Sequence, residues 1–322
     1  MYGEVRIKMT NIKSEYNCKK RVKNILTCIL IIICSVVLSG ILSDDICNYA
    51  KEGLRLCFRV IVGSVFPFMI LTDIITYTAK FENIYLLRCI FEKLFKINGR
   101  AISAFIIGII CGFPIGVKVA SDLYKQGVIS KAETERLIGF SNNTGPAFVI
   151  SGIGLGMRNS ISDGVILYFS MLLSAIISGI LFGVGKSPTK SSSKEHHMDY
   201  SLTKSVKNSA QNTVNICGFV VLFSVIIGIL SIIIRNELIY SLVIPFLEVS
   251  NCAKRLTLSN LFSKTQSLML TSFAISFSGI SVHMQAKSFL LETDLSMKTY
   301  YQVKLTQGII SAFLTGFILC IK

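Results

Sequence analysis

The chain has 322 residues, of which 52% are hydrophobic and 16% charged, and its mean hydropathy of +0.62 is typical of a membrane protein rather than a soluble globule. The formal charge of +15 comes mostly from Lys and Arg that lie between apolar runs, where such residues set the orientation of membrane helices. No basic stretch with interleaved aromatic residues is present, so we expect no nucleic-acid partner.

Apolar segments recur along the whole chain and predict an all-α polytopic membrane protein. A basic leader, 1–24, precedes a first segment that is too long for the core of a signal peptide, and we interpret it as a retained anchor. A run at 238–247 is too short to cross the bilayer. The longer segments lie at 25–43, 58–79, 101–118, 138–157, 163–185, 213–234, 266–284 and 303–321.

These segments divide the chain into a first transmembrane half, 25–185, a polar loop, 186–212, and a second transmembrane half, 213–322. Cytoplasmic loops carry an excess of Lys and Arg, so the leader and the polar loop are predicted to be cytoplasmic, and the number of spans then places the C-terminus there too. A full span at 101–118 would put the basic loop that follows it outside. We therefore predict a re-entrant hairpin at 101–118, and a second one at 266–284.

The two halves also predict an internal repeat. A span, a hairpin and a broken span occur in each half, in opposite orientations, at 58–79, 101–118 and 138–157 and again at 213–234, 266–284 and 303–321. At an offset of 166 residues, Ala120 aligns with Ala286 and Ser130 with Ser296. The predicted fold is therefore two inverted repeats, each with a re-entrant helical hairpin and a broken helix, as in many secondary transporters.

Two apolar stretches of the first half are interrupted by residues that a plain spanning helix would not use. They are Gly112-Phe113-Pro114-Ile115-Gly116 and Asn142-Asn143-Thr144-Gly145-Pro146. Within a bilayer, broken backbone is tolerated only where it is buried in protein or lines a polar cavity. A G-x-x-x-G pair can also be a simple helix-packing motif, but the proline between the two glycines favours a break. Both stretches therefore predict a transport site.

The predicted substrate-binding residues are small, polar or charged and lie at or beside such breaks. Amides offer donors and acceptors to a polar ligand, Lys118 would pair with an anion, and His283 would serve as a ligand or proton group. Ordinary alternatives are helix-to-helix hydrogen bonds for the amides, snorkelling for Lys118 and a solvated loop position for Glu248. The full set is Gly112, Pro114, Gly116, Lys118, Asn142, Asn143, Gly145, Glu248, Asn251, Ser278, Gly279, Ser281, His283 and Gln285.

Enzyme chemistry has no sequence signature here. There is no G-x-S-x-G or H-E-x-x-H motif, and the ten cysteines are scattered without a C-x-x-C pair. We therefore expect no catalytic residue, no cofactor and no metal. The expected partners are the lipid bilayer and a small anionic substrate, and the formation of a homo-oligomer is left open.

Motifs in both halves resemble the sporulation integral membrane proteins that carry a nucleoside-recognition (gate) domain. The resemblance rests on Cys111–Lys118, Ser121–Ser130, Asn142–Pro146, Leu247–Asn251 and Ser276–Gln285. It implies a stage V sporulation transporter, in the cell membrane or outer forespore membrane, that moves the pyridine dicarboxylate dipicolinate out of the mother cell. The gate domain alone would also fit a carrier of nucleosides or other small solutes. Glycine motifs that only pack helices would fit a non-transporting membrane assembly protein.

Overall fold

The computed structural model describes residues 43–58, 85–189 and 201–321, with a few positions between 62 and 74. The predicted leader, nearly all of the predicted anchor and most of the segment 58–79 lie outside the described residues. The chain forms two compact units, Met1–Tyr49 and Ala50–Lys322. The second unit contains all of the predicted site residues.

The described secondary structure is helical, as the sequence predicts. A 3-10 turn, Gly99–Ala101, precedes α3, and a π-helix, Ala147–Met157, precedes α6. The α-helices are α1 (Ser43–Leu56), α2 (Tyr85–Phe95), α3 (Ile102–Cys111), α4 (Ile115–Lys125), α5 (Lys131–Ser141), α6 (Ile161–Gly183), α7 (Leu202–Ile233), α8 (Glu237–Leu247), α9 (Val249–Leu258), α10 (Lys264–Phe277), α11 (Gly279–Ser288) and α12 (Lys298–Ile321).

Within the described ranges, four helical segments are long and apolar enough to cross a membrane. They are α6, α7, the combined segment Lys264–Ser288 and α12. A fifth candidate combines α2 with Gly99–Cys111, and this pair is bent by 102°. The spans predicted at 163–185 and 213–234 agree with α6 and α7, so the chain is an integral membrane protein by the length and composition of its helices.

Polar side chains start several of these helices by pairing with their first backbone amides. A capping box starts α5: the Ser130 N–H donates to the Glu133 carboxylate at 2.9 Å, and the Glu133 N–H donates to the Ser130 hydroxyl at 3.4 Å. Ser263 and Gln266 form a second capping box at α10. These reciprocal bonds satisfy amides that have no partner within the helix, so both helices begin at defined residues.

One end of the helix bundle, called end A, contains the turns at 96–100, 126–130, 186–189 and 289–297. The buried carboxylate of Glu133 joins three of its elements, because it accepts hydrogen bonds from the backbone N–H groups of Asn98 at 2.9 Å and Thr189 at 3.0 Å. The Ser296 N–H donates to the Glu135 carboxylate at 2.8 Å. The starts of α3, α5 and α12 and the end of α6 therefore lie at end A.

The opposite end of the bundle, called end B, contains the turns at 158–160, 234–236 and 259–263. Lys264 pairs with Asp163 at 3.1 Å, and Arg255 pairs with Glu237 at 2.9 Å. These ion pairs bring together the starts of α6, α8 and α10 and the last turn of α9.

Two pairs of short helices fold back on themselves. The pair α3 and α4 runs from end A to a turn at Gly112 and back, and the packing is so close that a Cβ added to Gly108 would lie 3.1 Å from the Gly116 Cα. The pair α8 and α9 runs from end B to a turn near Glu248 and back, with the Arg255 guanidinium 5.6 Å from the centre of a ring on α8. The run 238–247 is thus one arm of a second hairpin.

The segment Lys264–Ser288 crosses from end B to end A. Its helix α10 starts beside Asp163, and its helix α11 ends beside α4, where the Ser121 hydroxyl donates to the Phe289 carbonyl at 3.4 Å. The re-entrant hairpin predicted at 266–284 is therefore wrong, because a hairpin would return both of its ends to the same side. The true second hairpin, α8 and α9, precedes it in the sequence.

Helix α12 runs unbroken from end A to end B, so the broken span predicted at 303–321 is wrong. Its 24 residues extend over about 36 Å. The end of α12 therefore lies at the opposite end of the bundle from the turn at 186–189. The sequence predicted that the C-terminus and the 186–212 loop are both cytoplasmic, and the course of α12 does not agree with that prediction.

Candidate functional site

The turn between α3 and α4 depends on glycine. Gly112 has a φ of +83°, which residues with a side chain avoid, and a Cβ at this position would lie 2.7 Å from the Gly145 nitrogen. A Cβ on Gly108 or Gly116 would collide with the Ser141 carbonyl oxygen. The predicted site residues Gly112, Gly116 and Gly145 therefore allow this turn to touch the end of α5 through backbone atoms.

Pro114 and Lys118 lie on the returning arm of this hairpin. Pro114 is the N-cap of α4 and provides no side-chain acceptor, so the first amides of α4 face the turn without a side-chain cap. The Lys118 ammonium lies 3.5 Å from the Asp122 carboxylate, and its side chain is 18% exposed. Lys118 therefore has a carboxylate partner on its own helix, and its predicted role in anion binding stays a prediction.

Asn142 and Asn143 end α5 and, with Thr144, are buried. The Asn142 side-chain amide donates to the Tyr300 hydroxyl at 2.8 Å, and the Thr144 hydroxyl donates to the Ile275 carbonyl at 2.9 Å. The break between α5 and the π-helix is therefore bonded to both α10 and α12. This is the meeting of the two halves of the chain that the predicted site requires.

The break between α10 and α11 lies against the break between α8 and α9. Ser278 and Gly279 have φ angles of +76° and +62°, a left-handed region that glycine adopts readily and serine does not. A Cβ on Gly279 would lie 2.9 Å from the Leu247 carbonyl oxygen. The two interruptions of the second half therefore touch, as do those of the first half.

Glu248 and Asn251 start α9. The Glu248 carboxylate accepts hydrogen bonds from the backbone N–H groups of Ser250 at 2.9 Å and Asn251 at 2.7 Å, and from the Asn251 side-chain amide at 2.9 Å. This pattern is that of an N-cap, in which an acidic side chain stabilises the positive end of the helix. The predicted role of these two residues in substrate binding stays a prediction, beside this structural role.

Ser281, His283 and Gln285 lie on α11 and are buried. A ring nitrogen of His283 lies 2.7 Å from the Phe277 carbonyl oxygen, and its ring centre lies 5.2 Å from that of Tyr300. The Gln285 amide donates to the Ser281 hydroxyl at 3.4 Å. All three residues therefore lie inside the bundle, and His283 connects α11 to the start of α12.

Sequence reasoning missed a stripe of polar residues on α12, because its members are three or four residues apart rather than adjacent. Their spacing of four, three, four and four residues places them on one helix face, which is the signal that would have identified them. All five side chains are buried. The stripe consists of Tyr300, Lys304, Gln307, Ser311 and Thr315.

Lys304 is the charged member of this stripe and is 0% exposed. Its ammonium donates to the Ser276 carbonyl at 3.0 Å and to the Gln307 side-chain oxygen at 3.1 Å. The Gln307 amide donates in turn to the Asn143 side-chain oxygen at 2.7 Å. These bonds connect the last turn of α10, the first half of α12 and the break after α5. In the described part of the chain, Lys304 forms no ion pair.

Four helix breaks and the first half of α12 therefore form one cluster, called the central cluster. Its members share hydrogen bonds or backbone contact, and most of its polar side chains are buried. Four side-chain atoms in it have no hydrogen-bond partner among the described residues. They are the hydroxyl oxygens of Ser141 and Ser276 and the side-chain carbonyl oxygens of Asn142 and Gln285.

Comparisons with known proteins place the chain near one curated relative. No family model and no solved structure matches the chain. The chain is similar to the sporulation integral membrane protein YlbJ of Bacillus subtilis (strain 168), with 24% identity over 306 residues that cover 82% of this chain and 75% of the relative. It is therefore an integral membrane protein, and its resemblance to a sporulation protein extends over most of its length.

Proposed function

We propose that this protein transports a small carboxylate anion, and that its substrate is dipicolinate, which leaves the mother cell across the outer forespore membrane. The observation that carries this proposal is the convergence of four helix breaks in the central cluster. Broken backbone at membrane depth costs free energy unless it is buried in protein or lines a cavity. A protein that only needed to span the membrane would have no reason to bring four such breaks together.

The electrostatics of the breaks favour an anion. The N-termini of α4 and α11 both lie at breaks of the central cluster and have no side-chain cap, and a helix N-terminus carries roughly half a positive charge. By contrast, Glu248 already caps α9. Two uncapped helix N-termini at one buried place are a known arrangement for binding a substrate carboxylate in transporters with broken helices.

The order of elements supports a revised inverted repeat. In the first half a hairpin from end A is followed by a broken segment from end A to end B and by the span α6. In the second half a hairpin from end B is followed by a broken segment from end B to end A and by the span α12. Glu248 follows Gly112 by 136 residues, and Ser278 follows Asn142 by the same 136. This equal spacing replaces the predicted offset of 166.

The similarity to a sporulation protein supports the biological process but carries no information about the solute. The name of that relative refers to sporulation and the membrane only. Dipicolinate as the substrate rests on the motif resemblance described above and on the electrostatics of the central cluster. A second carrier class, for nucleosides, is therefore the comparison that a transport experiment has to include.

Counterflow in proteoliposomes tests the proposal. Vesicles that contain the full-length protein and unlabelled dipicolinate are diluted into labelled dipicolinate, beside protein-free vesicles and vesicles loaded with uridine. We expect label to accumulate only where protein and internal dipicolinate are both present. Exchange of uridine by the uridine-loaded vesicles, without exchange of dipicolinate by the dipicolinate-loaded ones, would indicate a nucleoside carrier. Exchange of neither, with the protein shown to be folded, would indicate a non-transporting role.

The cellular counterpart is the dipicolinate content of spores that lack this protein. We expect low dipicolinate in the spore while the mother cell still synthesises it. Normal spore dipicolinate in that strain would contradict the proposed substrate and direction.

A further inference from the structure

The most unusual group in the central cluster is the ammonium of Lys304. It is fully buried inside a helix that is long enough to span the membrane. Its hydrogen-bond acceptors, the Ser276 carbonyl and the Gln307 side chain, are both neutral. Charges inside a membrane protein normally face a partner charge or a polar pathway, because an uncompensated charge there is costly. In the described part of the chain, no carboxylate supplies that compensation to Lys304.

We propose that Lys304 binds the carboxylate group of the substrate and is the counter-charge that the sequence assigned to Lys118. This inference rests on the proposed function and identifies the residue that gives the site its preference for anions. Lys118 has the Asp122 carboxylate at 3.5 Å, whereas no carboxylate of the described residues pairs with Lys304. A bound carboxylate would supply that partner.

Unused hydrogen-bonding groups belong to the same cluster as Lys304. An ammonium has three N–H donors, and two are used by the two acceptors above. The Ser276 hydroxyl has no partner although the carbonyl of the same residue accepts from Lys304. Ser141 has an unpaired hydroxyl next to Asn142, at the break that Gln307 ties to Lys304. A carboxylate has acceptor sites for several such donors.

The Asn142 amide provides one more donor if it is turned over. In the present orientation its nitrogen donates to the Tyr300 hydroxyl, and its oxygen is unpaired. Amide oxygen and nitrogen are assigned from the hydrogen-bond network. With the amide reversed, the Tyr300 hydroxyl would donate to the oxygen, and the amide nitrogen would be free to donate to a ligand.

Gln307 is the positioning residue in this arrangement. Its oxygen accepts from Lys304, which fixes the orientation of its amide, and its nitrogen then donates to Asn143. The ammonium is thereby held between the end of α10 and the break after α5. A purely structural role would also use these bonds, since a lysine can cap the carbonyls at the end of a helix. The experiment therefore has to measure the recognition of charge rather than stability alone.

The test measures the binding of three pyridine ligands to the full-length protein in nanodiscs: the 2,6-dicarboxylate, the 2-carboxylate and the neutral 2-carboxamide. The wild type is expected to bind both anions more tightly than the amide. Lys304→Gln is expected to lose at least about tenfold in affinity for the anions, because hydrogen bonds to charged groups are the stronger class. Its affinity for the amide should stay the same. Lys304→Arg should recover part of the preference for anions.

Two further variants keep the test decisive. Gln307→Glu places a carboxylate beside Lys304 with little change of volume, so it should weaken anion binding. This variant provides the result if Lys304→Gln does not fold. Lys298→Gln removes an exposed lysine from the same helix and should bind all three ligands as the wild type does. If the wild type binds anions and both cluster variants bind them equally well, Lys304 is not the counter-charge. If the wild type binds no carboxylate, the proposed function fails as well.

Discussion

At the scale of single residues, the backbone contact between the first hairpin and α5 is the feature most sensitive to substitution. Gly116→Ala would drive a methyl group into the Ser141 carbonyl, and overpacking of this kind costs about 1–3 kcal/mol. We expect a clear loss of thermal stability in detergent. Gly218→Ala is the matched control, because a Cβ on Gly218 meets no atom within 4 Å. Equal melting temperatures for the two variants would contradict the close contact.

Glu133 is a second residue whose contribution can be measured, because its buried carboxylate holds end A together. It accepts from Asn98, Ser130 and Thr189. Burial opposes ionisation, but the hydrogen bonds from Thr189 and Ser130 outweigh it and lower the pKa of the Glu133 carboxyl below its ordinary value. A lowered folded pKa means that the stabilisation is complete above the ordinary glutamate pKa of about 4.3.

The expected pH dependence follows from that sign. As the pH falls from about 4.3 through the lower folded pKa of Glu133, this part of the stability is lost. Glu133→Gln should remove it at every pH, with a loss of about 1–3 kcal/mol near neutrality, and should flatten the acid side of the melting curve against pH. The measurement is thermal melting between neutral and acidic pH. If the melting temperature of the variant falls at acidic pH as steeply as that of the wild type, Glu133 does not contribute to the pH dependence of stability.

At the scale of helices and turns, an ion network at end A joins the two halves of the chain. Asp294 pairs with Lys131 at 2.9 Å and accepts from the Tyr124 hydroxyl at 2.7 Å, and these bonds lower the pKa of its carboxyl. The turn 126–130 follows α4, and the turn 289–297 follows α11. Both helices begin at breaks in the central cluster, so this network connects the outer ends of the two helices that begin there.

Charge reversal tests that connection. Lys131→Asp and Asp294→Lys should each lower the melting temperature of the full-length protein, because each leaves like charges opposed, and the double variant should restore most of the loss. The pair is exposed, so the restoration should shrink at high salt. Additive losses in the double variant would show that the two residues do not interact.

The sequence predicted the breaks themselves because their residues are incompatible with a spanning helix. Gly112, Asn142 and Ser278 all lie at interruptions of helices. Segment direction was not predictable in the same way. Whether a segment such as 266–284 turns back or continues depends on which helices it packs against, and hydropathy contains no information on that packing.

The candidate site was predictable in part, for a similar reason. Its glycines and amides stand out locally because they occur next to one another. Lys304 and Gln307 do not, since they are not adjacent to each other and only the helical period brings them onto one face with Tyr300. Lys118 was favoured instead, because it immediately follows a recognisable motif. Its pairing with Asp122 depends on a helical spacing of four residues.

At the scale of the whole molecule, the distribution of basic residues fixes the expected orientation. Among the described residues, those near end A outnumber those near end B. At end A they include Lys93, Lys96, Arg100, Lys125, Lys131, Arg136, Lys186, Lys204, Lys207, Lys287 and Lys298, whereas at end B they include Arg158, Arg235, Lys254, Arg255 and Lys264. Cytoplasmic loops carry the excess of positive charge, so end A is expected in the cytoplasm. Because α12 ends at end B, we expect the C-terminus on the opposite side.

Protease protection of epitope tags tests this orientation on the full-length chain. One variant carries a tag within the 186–212 loop, and a second carries the same tag after Lys322. In spheroplasts, protease should remove the C-terminal tag and leave the loop tag intact, while inverted vesicles should give the opposite result. The reason is that a continuous α12 separates the two sites by the thickness of a bilayer. Protection of both tags in spheroplasts would mean that α12 does not cross the membrane. The assignment of the two hairpins to opposite sides of the membrane would then be wrong as well.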